Sequence, residues 1–184
     1  MIKNPTLVGF FVCRKMSRFL LGMKKILIVS VTAGNNLILA KRIGELFDLE
    51  TEVITLEDYQ LPLYTGKVEL EDRTMINALC EKVISASGFV FCGPEYNGGS
   101  APILTNAITW ISVTTDYWRD AFSDKIALIA THSGGNGNSF LSTFRQQLEF
   151  MGVVVHPKSI IVNKNKEFNV ESSKKIIERF QILF

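Results

Sequence analysis

The chain has little of what usually builds a reactive or metal-holding centre. Its 184 residues include three cysteines, Cys13, Cys80 and Cys92, and two histidines, His132 and His156. No two cysteines form a CxxC pair and no histidine cluster accompanies them, which argues against a zinc site. An odd cysteine count with no disulfide framework fits a reducing, cytoplasmic setting. Cys80 lies on a helical stripe and Cys92 ends an apolar run, so both read as small buried hydrophobes. Neither GxxxxGK[ST] nor GxGxxG occurs, which disfavours ATP and a Rossmann dinucleotide site. No serine–histidine–acid arrangement or nucleophile–base pair stands out, so no catalytic residue is assigned. The net charge is +2, which gives no reason to expect nucleic acid. No apolar run reaches the ~20 residues of a membrane span.

The small positive excess is unevenly placed. Lys3, Arg14, Lys15 and Arg18 precede Met23 with no acid among them, and the rest of the chain is mildly acidic. Arg14-Lys15 interrupts the apolar stretch Leu7–Cys13, an order wrong for a signal peptide. Met23-Lys24-Lys25-Ile26 looks like a natural beginning. Residues 1–22 are therefore expected to be an extension from an upstream start that adds nothing to the fold. A basic segment touching a membrane surface is the alternative. Residues 23–184 are expected to form one domain, long enough for a substantial core, and 47% hydrophobic residues argue against disorder.

From Met23 onward, strands and helices alternate. Ile26–Val29, Glu52–Leu56, Phe89–Cys92 and Ile126–Ala130 read as strands, with a fifth at Val153–Val155 extended toward Ile161-Val162. The continuous apolar runs among them suit a parallel sheet covered on both faces. Between them, apolar residues recur at helical spacing: Leu39, Ala40, Ile43, Leu46 and Phe47; Ile76, Leu79, Cys80, Val83 and Ile84; Ile103 to Ile111; Leu141, Phe144, Leu148 and Met151; and finally Ile176, Ile177, Phe180 and Leu183. This pattern predicts an α/β, doubly wound, five-stranded parallel sheet.

The most informative stretch is Cys92-Gly93-Pro94-Glu95-Tyr96-Asn97-Gly98-Gly99-Ser100-Ala101-Pro102. It is a glycine-rich turn at the carboxyl end of a strand, where open α/β sheets bind ligands, and Pro102 opens the next helix. A tyrosine face and nearby backbone N–H groups suit a planar ring with polar edges. Pro94-Glu95-Tyr96-Asn97-Gly98, followed by Pro102, Asn106, Ala107 and Trp110, resembles the signature of the NADPH-dependent FMN reductase family, which includes azo, chromate and quinone reductases. The resemblance covers roughly Met23 to Leu183. It implies a flavodoxin-like strand order of 2-1-3-4-5, with a crevice between strands 1 and 3.

Three loops are then expected to hold FMN. In the first, Ser30, Thr32, Asn35 and Asn36 offer hydroxyls and amides at a helix N-terminus, a phosphate nest that needs no lysine. Leu37 is counted among the cofactor-binding residues beside them. Asn35 or Asn36 capping the helix is the structural alternative. This loop departs from the family's Gly-Ser-x-Arg pattern: Gly34 stands at the serine position and no arginine is present. It also resembles the hydroxyl- and glycine-rich phosphate loop of flavodoxins. In the second loop, the resemblance sets the backbone of Pro94 to Gly98 and Tyr96 against the flavin ring, with Asn97 at its polar edge. Glu95 either pairs with a cation of a partner subunit or is solvated. In the third, Ser133, Gly134 and Gly135 would bring backbone N–H groups to the ring, with Arg145 on the following helix. His132 reads as structural or solvent-facing. Trp110 and Trp118 frame a segment, Thr114–Arg119, that suits a subunit contact or a lid.

The resemblance implies hydride transfer from NADPH or NADH to FMN, then to a small-molecule acceptor such as a flavin, quinone or azo compound, in a cytoplasmic homodimer or homotetramer. A flavodoxin-type electron carrier and a flavin-free binding protein of the same fold are the rival readings.

Overall fold

The apolar run Ile26–Val29 is buried at every position and forms the centre of β1, Lys25–Ser30. In this computed structural model residues 24–184 are described, and the expectation for residues 1–22 lies outside them. The first helix is α1 (Asn35–Gly44), followed by β2 (Glu50–Thr55) and a short 3-10 turn at Leu56–Asp58. Next come α2 (Thr74–Ser85), β3 (Gly88–Cys92), β4 (Glu95–Tyr96), β5 (Gly99–Ser100) and α3 (Pro102–Thr114). The chain closes with β6 (Ile126–His132), α4 (Asn138–Phe150), β7 (Val154–Val155), β8 (Ile160–Val162) and α5 (Val170–Gln181).

The main sheet has the order β2-β1-β3-β6-β7, with β8 also on β6, and all its pairings are parallel. This is the expected 2-1-3-4-5 arrangement, with β6 as the fourth position. The fifth position is split. β7 pairs with Ile126 and Ala127, and β8 pairs with Ala130 to His132. Between them lies Pro157, which has no N–H for a ladder. Arg145 repairs the break: its guanidinium donates to the carbonyls of Val155 (3.1 Å) and His156 (2.8 Å).

Alternate residues of each strand face opposite layers. Leu27, Val29, Phe89, Phe91, Ala127 and Ile129 meet α2, α3 and α4 through residues such as Leu79, Leu104 and Phe144. Ile26, Ile28, Val90, Leu128 and Ala130 meet α1 and α5 through Leu39, Ile43, Ile177 and Phe180. Cys80 and Cys92 are free thiols within these two layers, and burial pushes both above the usual thiol range. The two-sided core directs the carboxyl ends of β1, β3 and β6 to one edge.

Candidate functional site

Three turns leave that edge. After β1, the Val31 N–H donates to the Cys92 carbonyl at 2.8 Å, which joins the first turn to the end of β3. The Ser30 hydroxyl is buried and donates to the Thr32 carbonyl at 2.7 Å, so it shapes the turn from inside. Ala33, Gly34 and Asn35 are exposed. α1 starts after Gly34 with no side-chain cap and no acid in its first turn. Its positive end therefore faces outward without a capping or first-turn acidic group among the described residues. Leu37 N–H folds back to the Gly34 carbonyl at 3.0 Å. Among the described residues, the Thr32 hydroxyl and Asn35 amide make no hydrogen bond.

Asn36 is used differently. It is 3% exposed, and its Nδ2 donates to the His132 carbonyl at 3.0 Å while its Oδ1 accepts from the His132 N–H at 2.9 Å. The side-chain amide thus continues the ladder where β3 has ended, and fastens α1 to the end of β6. Only its backbone N–H is left for a ligand.

The second turn is a hairpin, which the sequence reading missed. β4 and β5 pair antiparallel around Asn97 and Gly98, whose φ values are 49° and 74°. Two consecutive positive φ angles define the type I′ turn that Asn-Gly favours, so the dipeptide was the available signal. Tyr96 stands on this hairpin 49% exposed. Pro94 is buried beneath it. Gly93 is held by packing: a Cβ there would lie 2.8 Å from Phe140 Cζ and 2.9 Å from Val31 Cγ2.

Glu95 is bound within its own chain. Its Oε2 accepts from the backbone N–H groups of Ser139 (2.8 Å) and Phe140 (3.2 Å), in the first turn of α4. α4 follows Gly137 and has no side-chain cap or first-turn acid of its own. The Glu95 N–H donates to Ser133 Oγ at 2.8 Å, and Ser133 Oγ lies 2.7 Å from Thr131 Oγ1. The Ser133 side chain therefore joins the second turn to the third. No sequence signal predicts a cap supplied from 44 residues away.

In the third turn, Gly134 and Gly135 are exposed. Neither has a positive φ, and a Cβ on either would meet nothing within 4 Å. The chain's own packing requires no glycine at these positions. Their exposed backbone is open to close approach by a bound group. On the same observations, the exposed, uncapped start of α1 suits the phosphate of FMN.

Asn106 and Trp110, both in the sequence signature, act on the segment after β2. Asn106 Oδ1 accepts from Tyr64 N–H at 2.8 Å, and its Nδ2 donates to the Pro62 carbonyl at 3.0 Å. Trp110 is buried and its Nε1 also donates to Pro62, at 2.7 Å. A cleft of about 180 Å³ opens there, lined by Glu57, Tyr59, Gln60, Leu61, Ile103 and Ala107. Burial raises the Tyr59 phenol above its usual range.

Known proteins resemble this chain in sequence and in fold. A Schizosaccharomyces pombe protein named NAD(P)H-dependent FMN reductase is 29% identical over 131 residues, 65% of this chain and 61% of its own length. An Arabidopsis thaliana NADPH:quinone oxidoreductase is 32% identical over 79 residues, 42% of this chain and 38% of its own. The chain thus spans less than two thirds of either relative. Among solved structures, FerB, a flavoenzyme NAD(P)H:(acceptor) oxidoreductase from Paracoccus denitrificans, has TM-score 0.70 at 17% identity, covering 86% of this chain and 96% of its own. An archaeal flavodoxin has TM-score 0.59 at 15% identity, covering 85% and 99%. These structural likenesses establish a flavodoxin-like fold. The family model of the NADPH-dependent FMN reductases matches residues 23–167, and the chain belongs to that family.

Proposed function

We propose that this protein is an NAD(P)H-dependent, FMN-containing oxidoreductase that passes electrons to a small acceptor such as a flavin, quinone or azo compound. The observation that carries this reading is that exposed Tyr96 and two glycines that the chain's own packing does not require, Gly134 and Gly135, stand on turns joined by the Ser133 hydroxyl. The candidate residues divide by role. Thr32, Asn35 and the first N–H groups of α1 receive the phosphate. Ser30, Leu37 and Asn36 shape that turn. Tyr96, Asn97, Gly98, Gly134 and Gly135 border the ring, while Pro94, Glu95 and Ser133 hold the border in place.

Bound FMN supplies the two-electron chemistry between nicotinamide and acceptor. The chain supplies binding, orientation and an environment of neutral donors, and no side chain needs to move a proton. The cleft lined by Tyr59 and Ile103 lies beyond the end of β2 and offers space for an acceptor beside the same edge.

The protein is further proposed to be a cytoplasmic homodimer or homotetramer. Tyr117, Trp118 and Phe150 are exposed together, 53%, 37% and 68%, with the Arg119 guanidinium 4.3 Å from the Trp118 ring centroid. This aromatic patch supports a subunit contact, which light scattering after size exclusion tests.

The functional test is a visible spectrum after incubation with FMN and desalting, followed by anaerobic addition of NADPH and then NADH. Retained bands that bleach with either nucleotide support the reductase, and the faster donor is the co-substrate. Retained bands that do not bleach favour an electron carrier, in keeping with a phosphate turn that resembles the hydroxyl- and glycine-rich one of flavodoxins. Loss of the bands, together with no turnover of added FMN, overturns both.

A further inference from the structure

We propose that Glu95 is a positioning residue that sets the distance between the Tyr96 hairpin and the third turn. It would clamp both to the start of α4. The inference rests on the flavin reading and deepens it.

Glu95 reaches two elements at once. Its backbone N–H is bound by Ser133 Oγ, and its carboxylate by two N–H groups of α4. Charge-assisted bonds from a carboxylate to helix N–H groups are stronger than neutral ones, and the helix dipole adds to them. α4 starts without any capping side chain of its own, so the carboxylate fills a place no nearby residue takes. Tyr96 is the next residue along the chain, at the open end of a two-residue strand. Its ring therefore inherits its place from the Glu95 clamp. Gly134 and Gly135 follow Ser133 directly, so they are referred to the same clamp. The placement of the hairpin against the third turn is thus set by the Glu95 carboxylate together with the Ser133 hydroxyl.

Helix capping alone would give Glu95 a purely structural role, and two repairs separate the possibilities. Glu95→Gln keeps an acceptor oxygen at the same reach. Ser139→Asp, placed in the first turn of α4, returns a negative charge to the helix end without touching the hairpin. FMN dissociation constants are measured by flavin fluorescence for wild type, Glu95→Ala, Glu95→Gln and Glu95→Ala/Ser139→Asp, with thermal unfolding of each flavin-free protein alongside. Expected are about tenfold weaker FMN binding for Glu95→Ala, the size of a lost charge-assisted contact, and recovery of most of it in Glu95→Gln. The double variant recovers thermal stability but not FMN affinity.

Recovery of FMN affinity together with stability in the double variant makes Glu95 a helix cap only and overturns the proposal. Unchanged FMN affinity in Glu95→Ala overturns it as well. If wild type itself binds no FMN, the functional reading fails and the positioning role fails with it, a result distinguishable from both.

Discussion

At the amino end of the sheet Glu52 is held between Lys25, at 2.7 Å, and Lys82, and Lys125 donates to the carbonyls of Val83 and Ile84 at the end of α2. At the carboxyl end Thr32 and Asn35 have no such partner among the described residues, and α1 starts without a cap. The glycines follow the same division. Gly88, at the amino end, is filled against by Phe184 and the Ile126 carbonyl, while Gly134 and Gly135 face open space. One end is closed by the chain's own groups, and the other is left with donors and room. Binding is proposed at the second.

Gly88→Val would break the closed end. Its Cβ would lie 2.7 Å from Phe184 Cε1 and 2.8 Å from a backbone oxygen, and overpacking of that kind costs about 3 kcal/mol. Chemical denaturation should register the loss, with FMN affinity unchanged in whatever fraction remains folded.

Asn36→Ala tests a place where the open end is closed by its own chain. It orphans the N–H and carbonyl of His132, at a cost of about 2 kcal/mol, and lowers both stability and FMN affinity. A variant that lost affinity with unchanged stability would return Asn36 to the ligand set.

Gly134→Val and Gly135→Val sharpen the contrast in the other direction. Each should leave the flavin-free protein within about 0.5 kcal/mol of wild type while weakening FMN at least tenfold in fluorescence titration. Tyr96→Ala should behave alike with a smaller loss, about tenfold or less, as one aromatic face is removed.

A separate effect is on pH dependence at the closed end. Burial lowers the Lys125 ammonium from 10.5 to about 8, so between those values the unfolded chain binds more protons than the folded one. Stability therefore rises with pH across that window, and Lys125→Met should remove the rise. Glu52 acts on the acid side. Hydrogen bonds from Lys25 and Lys82 hold its carboxyl below 4.5, so its contribution is present at neutral pH and is lost as the medium falls below that value. Urea midpoints measured across pH check both slopes.

Much of the sheet was legible in the chain. Ile26–Val29 and Phe89–Cys92 are apolar at every position because helices cover both faces, and such runs admit few other readings. The fifth strand was legible only as a location. Its break around Pro157 depends on Arg145 supplying hydrogen bonds from α4, a contact that no local pattern announces. The position of the candidate site was legible from the glycine-rich turn after β3, but the division of labour within it was not. Asn36 was expected to face a phosphate, and its side chain spans to His132, 96 residues away. Asn106 and Trp110 carry the family signature, yet they secure the Leu61–Tyr64 segment.

The sequence by itself determined the alternation of elements, the buried strands, the left-handed Asn97-Gly98 turn and the family, because backbone preference and hydrophobic period act over a few residues. The tertiary structure alone decided which polar groups are spent on the protein and which remain for a ligand. A hydrogen bond is satisfied by whichever group the fold brings within 3 Å or so. Glu95, Asn36 and Ser133 found their partners across the fold, and Thr32, Asn35, Gly134 and Gly135 were left facing outward.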